Sequence, residues 1–207
     1  MKKLVFTLFA IACFSNTFAQ SKIDAGIRIS PIISTTSVFN SDGVKQGGYS
    51  SKLGFIASLM MNYNFTENFS VHTGLGYKMH GFTNSTLVKS KININSVEIP
   101  VALRLRTPEI GGNTGIHIRA LAGTNIDIHT GGTVKIGDAV TKLQKLSPIG
   151  IGLLTSLGID WTIEKVGMFD LGVRWNKGMT DTSTDKSIKQ RIGYWGLDLG
   201  YYFNWGK

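Results

Sequence analysis

Twelve ionisable residues occupy positions that share one face once the chain is drawn extended: Arg28, Lys78, Arg104, Arg106, Arg119 and Arg174, and against them Asp24, Glu98, Asp127, Asp160, Asp170 and Asp198. A charge withdrawn from water without a partner costs several kcal/mol, so equal numbers of opposite sign at interleaved positions are the makings of a mutually paired ion network. The same residues with water between them would line a charged conduction pathway. A second chemistry needs a base beside a hydroxyl. The histidines are His72, His80, His117 and His129; His80 and His129 can meet, and Asp127 stands two residues from His129. Such a Ser/His/Asp set would suit a hydrolase or acyltransferase. Its spacing matches no fixed motif, so no catalytic residue is assigned. Two histidines lack the further ligands of a metal site. Gly47-Gly48, Gly111-Gly112 and Gly131-Gly132 are turn signals, not a phosphate loop opening a helix. No cofactor or metal is expected.

The elements that would position these charges are strands. Apolar residues alternate with polar ones or glycine from Ile23 to Trp205, most clearly in Tyr194-Trp195-Gly196-Leu197-Asp198-Leu199-Gly200-Tyr201-Tyr202-Phe203. Successive strand side chains point to opposite faces, so each segment has one oily and one polar face. Eight strands are expected: Ile23–Ser34, Ser51–Asn64, Phe69–Phe82, Ile92–Arg106, Ile116–Ile128, Pro148–Trp161, Met168–Asn176 and Arg191–Asn204. Each is long enough to cross a bilayer as a tilted strand. Short connections alternate with longer ones rich in Gly, Ser, Thr and Lys, as between the two sides of an outer-membrane barrel.

An antiparallel sheet with one wet face alternates too, so a soluble barrel with an apolar core is the rival. Two features favour the membrane. Glycine shares a face with the charges (Gly26, Gly74, Gly76, Gly123, Gly150, Gly152, Gly158, Gly172, Gly196, Gly200), which suits a narrow interior filled by side chains. On the other face, Tyr63, Phe65, Phe69, Trp161, Phe169, Tyr201, Phe203 and Trp205 gather at the end bearing the short turns, as in an aromatic girdle at headgroup level. The expected fold is therefore all-β: an eight-stranded antiparallel up-and-down transmembrane β-barrel with oily side chains toward lipid.

The N-terminus has a different character. Lys2-Lys3, the apolar run Leu4–Phe14 and Thr17-Phe18-Ala19 form the pattern of a cleaved signal peptide over residues 1–19, leaving a single barrel domain over 20–207. The only cysteine, Cys13, lies in that segment, so the exported chain would hold no disulfide or thiolate. Of the formal charge of +9, two units leave with Lys2 and Lys3. The remaining +7 falls on the long connections, where Lys45, Lys52, Lys89, Lys91, Lys135, Lys142, Lys145, Lys177, Lys186, Lys189 and Arg191 face only Asp42, Asp138, Asp181 and Asp185. Basic connections on the outer side would be drawn to outer-membrane lipid, including lipopolysaccharide phosphates. No nucleic-acid-binding module is present.

Two segments carry a resemblance. Asp198, Gly200, Phe203 and Trp205 are spaced like the C-terminal signal read by the barrel-assembly machinery, although Gly206 and Lys207 follow. Ser96-Val97-Glu98-Ile99-Pro100-Val101-Ala102-Leu103-Arg104-Leu105 resembles a strand of the PorT-like outer-membrane β-barrel proteins of Bacteroidetes-type bacteria, small barrels of the OmpA/OmpX type. The resemblance implies an integral outer-membrane protein and, for some relatives, involvement in protein secretion; it brings no catalytic motif. Pro100 removes a ladder donor, so a bulge or bend is expected there. The sequence thus points to a non-enzymatic structural or interaction protein of the outer membrane, linked to secretion or envelope integrity, with possible partners in a secretion system. A small-solute porin-like channel and an outer-membrane lipid-modifying enzyme are the alternatives.

Overall fold

The computed structural model describes residues 23–85, 88–143, 145–184 and 188–203. Among them are eleven strands: β1 (Ile23–Asn40), β2 (Lys45–Gln46), β3 (Tyr49–Ser50), β4 (Lys52–Asn64), β5 (Phe69–Asn84), β6 (Ser90–Arg106), β7 (Ile116–Ile136), β8 (Ala139–Lys142), β9 (Ile149–Ile163), β10 (Gly167–Gly178) and β11 (Ile188–Phe203). Eight of them, β1, β4, β5, β6, β7, β9, β10 and β11, pair antiparallel in chain order, and β11 returns to pair with β1 from Gly26↔Tyr202 to Asn40↔Ile188. The ring has no free edge, the condition for a sheet to survive in lipid.

The register fixes the shape. Following directly opposed residues once round the ring leads from Tyr63 through Val71, Leu103, Ala122, Thr155, Trp175, Trp195 and Ile33 to Leu53. The path returns to β4 ten residues nearer the long connections than it began. With the usual strand rise and spacing, that offset on eight strands gives a tilt of about 40° and a backbone radius of about 8 Å. A tube that narrow is filled by its own side chains.

The two faces sort as the alternation requires. Leu157, Leu197 and Leu199 point outward at 62, 51 and 50% exposure, whereas Arg174 and Asp198 point inward at 2 and 1%. On β4 the outward apolar band runs from Leu53 to Tyr63, about 25 Å along the barrel axis at this tilt. At the short-turn end the outward rings touch in series. Tyr63, Phe65 and Phe69 stand 5.1 and 5.5 Å apart. Trp161, Phe169, Tyr201 and Phe203 follow at 6.2, 5.2 and 5.4 Å. Trp175 and Trp195, directly opposed on β10 and β11 and both exposed, add outward rings nearer the other end.

Several expectations need correction. The strands overrun their expected ends: β1 reaches Asn40 and β7 reaches Ile136, while β11 begins at Ile188. The apolar alternation stops at the membrane surface, but the ladder continues above it, with β2 and β8 added along its flanks. Many cations assigned to loops therefore stand on strands. Pro100 does not shift the register. It leaves a gap in the ladder toward β5 between Thr73↔Val101 and Gly76↔Glu98, and the register shift lies at Asn95/Ser96 against β7. Finally, the inward face is not wholly polar, because Ile32, Ile56, Met60, Leu121, Leu154 and Met168 are buried within it. The proposed signal peptide with Cys13, and Trp205 of the girdle and of the assembly signal, fall outside the described residues.

Candidate functional site

The inward charges form one continuous chain of ion pairs along the lumen. Near the long-connection end, Lys78 Nζ lies 2.5 Å from Asp127 and 3.1 Å from Glu98. Glu98 passes the chain to Arg174 at 2.9 Å, and Arg174 to Asp198 at 2.9 Å. Asp198 also meets Arg28 at 3.9 Å and Arg119 at 3.6 Å. Arg28 and Arg119 share Asp170, and Arg119 with Arg104 shares Asp160. Five cations and five anions alternate, all nearly inaccessible to solvent.

The strand register explains why the cations sit where they do. Glu98 stands directly opposite Asp127, and Asp160 directly opposite Asp170. Like charges so placed destabilise a ladder. Lys78 is held between the first pair; Arg104, Arg119 and Arg28 serve the second. Neutral groups complete the coordination. Ser30 and Ser156 donate to Asp198 at 2.7 and 3.2 Å, Tyr194 donates to Glu98 at 2.7 Å, and Asn125 donates to Asp127 at 3.0 Å. Hydrogen bonds on the remaining lone pairs are what make a buried ion cluster tolerable.

Two of the twelve predicted lumen charges stand apart from this chain. Arg106 and Asp24 are half-buried toward the short-turn rim, where Arg106 reaches the Met168 sulfur at 3.3 Å and Asp24 accepts from Asn64 at 2.7 Å. They lie near strand ends, where the barrel opens to water. His72 does join the interior, 3.4 Å from Arg28 and 2.7 Å from the Asn62 side-chain oxygen, whereas His117 turns to the Thr107 carbonyl at the rim.

The inward glycines give the long side chains room. A Cβ at Gly172 would lie 2.6 Å from Arg119 Nη2 and 2.8 Å from the Leu157 carbonyl oxygen. Gly172→Val is therefore expected to destabilise the folded barrel by about 1–3 kcal/mol through overpacking, read as a lower temperature at which the folded band is lost on a heat-modifiability gel.

Apolar groups that alternation alone did not reveal seal the network. Phe82, Ile92, Ile94 and Ile192 cluster at the long-connection end, covered by Tyr49, Val134, Leu143 and Leu146. Met60, Met168 and Tyr202 pack together nearer the short turns. The available signal was the doublets Ile32-Ile33, Met60-Met61 and Leu153-Leu154, which put apolar groups on both faces at once.

His80 and His129 do meet, with ring centroids 6.2 Å apart. His80 Nε2 lies 3.2 Å from Ser96 Oγ, but its Nδ1 has no hydrogen-bond partner. His129 Nδ1 lies 2.6 Å from the Ser147 carbonyl oxygen, and Asp127 is taken up by Lys78 and Asn125. A serine and a base are adjacent, but Asp127 does not orient the ring. Among the described residues no cluster of three or more His, Cys, Asp or Glu could hold a metal ion.

Outside the lumen, a collar of cations crowns the apolar band. Lys45, Lys91, Lys135, Lys177, Lys189 and Arg191 are exposed on strands above it. Asp185 and Lys186 lie outside the described residues. Among the described residues, the short turns carry Glu67, Glu109 and Glu164 against Lys165.

The sequence matches the family model described as outer membrane protein beta-barrel domain over residues 18–184. The chain belongs to that family. No curated protein matches it. Among solved structures, this outer-membrane barrel is similar to Neisserial surface protein A at 15% identity, with a TM-score of 0.52, covering 88% of this chain and 98% of that one. It is similar also to the outer membrane protein OprG of Pseudomonas aeruginosa at 19% identity, with a TM-score of 0.52, covering 88% and 94%. These likenesses show a shared fold. For this outer-membrane family the inside-out sorting of side chains is the solution lipid demands: backbone paired in a closed ring, oily groups outward, charges inward.

Proposed function

We propose that the protein is a sealed, non-enzymatic scaffold of the outer membrane that works through its outer surface, in a structural or interaction role. The observation that carries this reading is the unbroken ion chain from Asp127 to Arg104, which spends the lumen charges on one another. What remains for a partner is the exposed collar, whose charge suits lipopolysaccharide phosphates. The PorT-like character of Ser96–Leu105 supports a link to secretion-system proteins or envelope integrity, and the Asp198, Gly200, Phe203 spacing supports delivery by the barrel-assembly machinery.

Proteoliposomes test the reading. The protein is expected to carry no small solute above the leak of empty vesicles; solute flux would favour the porin-like alternative. Its thermal midpoint is expected to be higher in vesicles holding a phosphate-bearing glycolipid than in zwitterionic ones, with the gap closing in high salt as surface charge is screened. Lipid deacylation or acyl transfer abolished by His80→Ala and His129→Ala would instead favour the lipid-modifying enzyme.

A further inference from the structure

The lipid-facing surface has a notch at mid-depth. Along β4 the outward residues are Leu53, Phe55, Ala57, Leu59, Met61 and Tyr63, and Ala57 is the only small one. It is flanked by Ile29 on β1 and Tyr77 on β5, with Val97 on β6 next in the row. With Ile27, Leu59 and Leu75 they wall an apolar cleft of about 420 Å³. Ser58 and Gly76, small and directly opposed on β4 and β5, complete its lining.

Its depth in the bilayer is set by the register. Ala57 lies six residues from Tyr63 in the girdle and five from Lys52 at the outer rim, about 15 Å and about 13 Å along the axis and hence near the middle of the hydrocarbon. Because the strands lean, the rim vertically above Ala57 belongs to β6, where Asn95, Asn93 and Lys91 are the successive outward residues. Lys52 reaches over to the same spot and donates to Asn93 Oδ1. Lys91 stands directly opposite Lys135 of β7. Two ammonium groups placed side by side repel unless an anion lies between them.

We propose that this face holds one phosphate-bearing glycolipid of the outer leaflet, its phosphate between Lys91 and Lys135 beside Lys52, and the end of one acyl chain in the cleft over Ala57. The site deepens the reading of the collar as a lipid-facing surface and rests on it. The charges supply the attraction. The cleft supplies selectivity by shape, since apolar surfaces in lipid associate through packing and not through exclusion of water.

The test uses the full chain reconstituted in phosphatidylcholine vesicles doped with phosphorylated lipid A, or with dephosphorylated lipid A of the same acyl chains. The protein is then extracted in mild detergent and weighed by native mass spectrometry. Wild type is expected to retain one phosphorylated molecule and little of the dephosphorylated one. Lys91→Ala with Lys135→Ala is expected to weaken retention about 30-fold. Ala57→Leu, which leaves the charge unchanged, is expected to weaken it about threefold by filling the cleft. Ala120→Leu, an outward change nearer the other leaflet, is expected to have no effect. Each variant is first shown to give the heat-shifted band of a folded barrel. Phosphate-dependent retention that ignores the Lys91, Lys135 and Ala57 changes overturns the site alone; retention of neither lipid, or of both equally, by wild type overturns the collar reading with it.

Discussion

Arg174→Met is expected to destabilise the folded barrel more than any outward-facing substitution, by about 3–5 kcal/mol, because it leaves buried carboxylates short of a partner. Arg174 is the link between the two halves of the ion chain, 2.9 Å from Glu98 on one side and 2.9 Å from Asp198 on the other. Met fills much of the same volume, so the loss would be electrostatic and not a cavity effect. Asp198 keeps Arg28 and Arg119 at 3.9 and 3.6 Å, and Glu98 keeps Lys78 at 3.1 Å, so the barrel is weakened and not abolished. Adding Glu98→Gln removes one of the carboxylate charges left in excess and is expected to recover part of the loss, since buried ion pairs are costly to break singly and cheap to remove together. Thermal melting in detergent, followed by the heat-shifted gel band, reads both variants. An Arg174→Met protein as stable as wild type, but with altered conductance, would mean that the charges line a water-filled pathway.

Arg119→Ala combined with Arg174→Ala is expected to turn a silent barrel into a conducting one. Arg119 is the most connected cation of the lumen, reaching Asp160, Asp170 and Asp198 and donating to Ser156 Oγ at 2.8 Å. The two side chains occupy the middle of a tube of about 8 Å backbone radius, where little cross-section is left once they are in place. Removing both opens space lined by four carboxylates, Glu98, Asp160, Asp170 and Asp198, and should admit cations in preference to anions. In planar bilayers, stepwise cation-selective current is expected from the double variant and none from wild type. Equal current from both would show that the wild-type lumen already conducts.

How much of this was readable in the sequence depends on the kind of residue. The strict alternation around Asp198 and Gly200 predicts the strand and its inward face, because a period of two has only two ways to face. The count of opposite charges foretold neutrality, but not the pairing. That Lys78 would serve Glu98 and Asp127, and Arg119 three aspartates, follows from the ten-residue offset around the ring, which composition does not encode. Arg106 and Asp24 share the inward parity of the network but sit at the rim, since parity assigns a face and not a depth. The Gly, Ser, Thr and Lys content of the long connections predicts loops. They continue as strands because above the membrane a ladder needs no oily face. The cleft at Ala57 was hidden for a related reason: one small residue among large ones becomes a notch only when its neighbours on β1 and β5 are known.

Everything proposed for the lumen and the collar requires that the oily face meet lipid. A nitroxide scan along β11 tests this most directly, with single cysteines placed in turn at Leu197, Asp198, Leu199, Gly200 and Tyr201 in a Cys13→Ser background, in lipid vesicles. Labels at 197, 199 and 201 are expected to be relaxed by oxygen, which concentrates in lipid, and those at 198 and 200 to be shielded from oxygen and from a water-soluble nickel complex alike. Relaxation by the nickel complex at 197 and 199, with 198 and 200 buried, would mean a barrel standing in water, and would contradict the account.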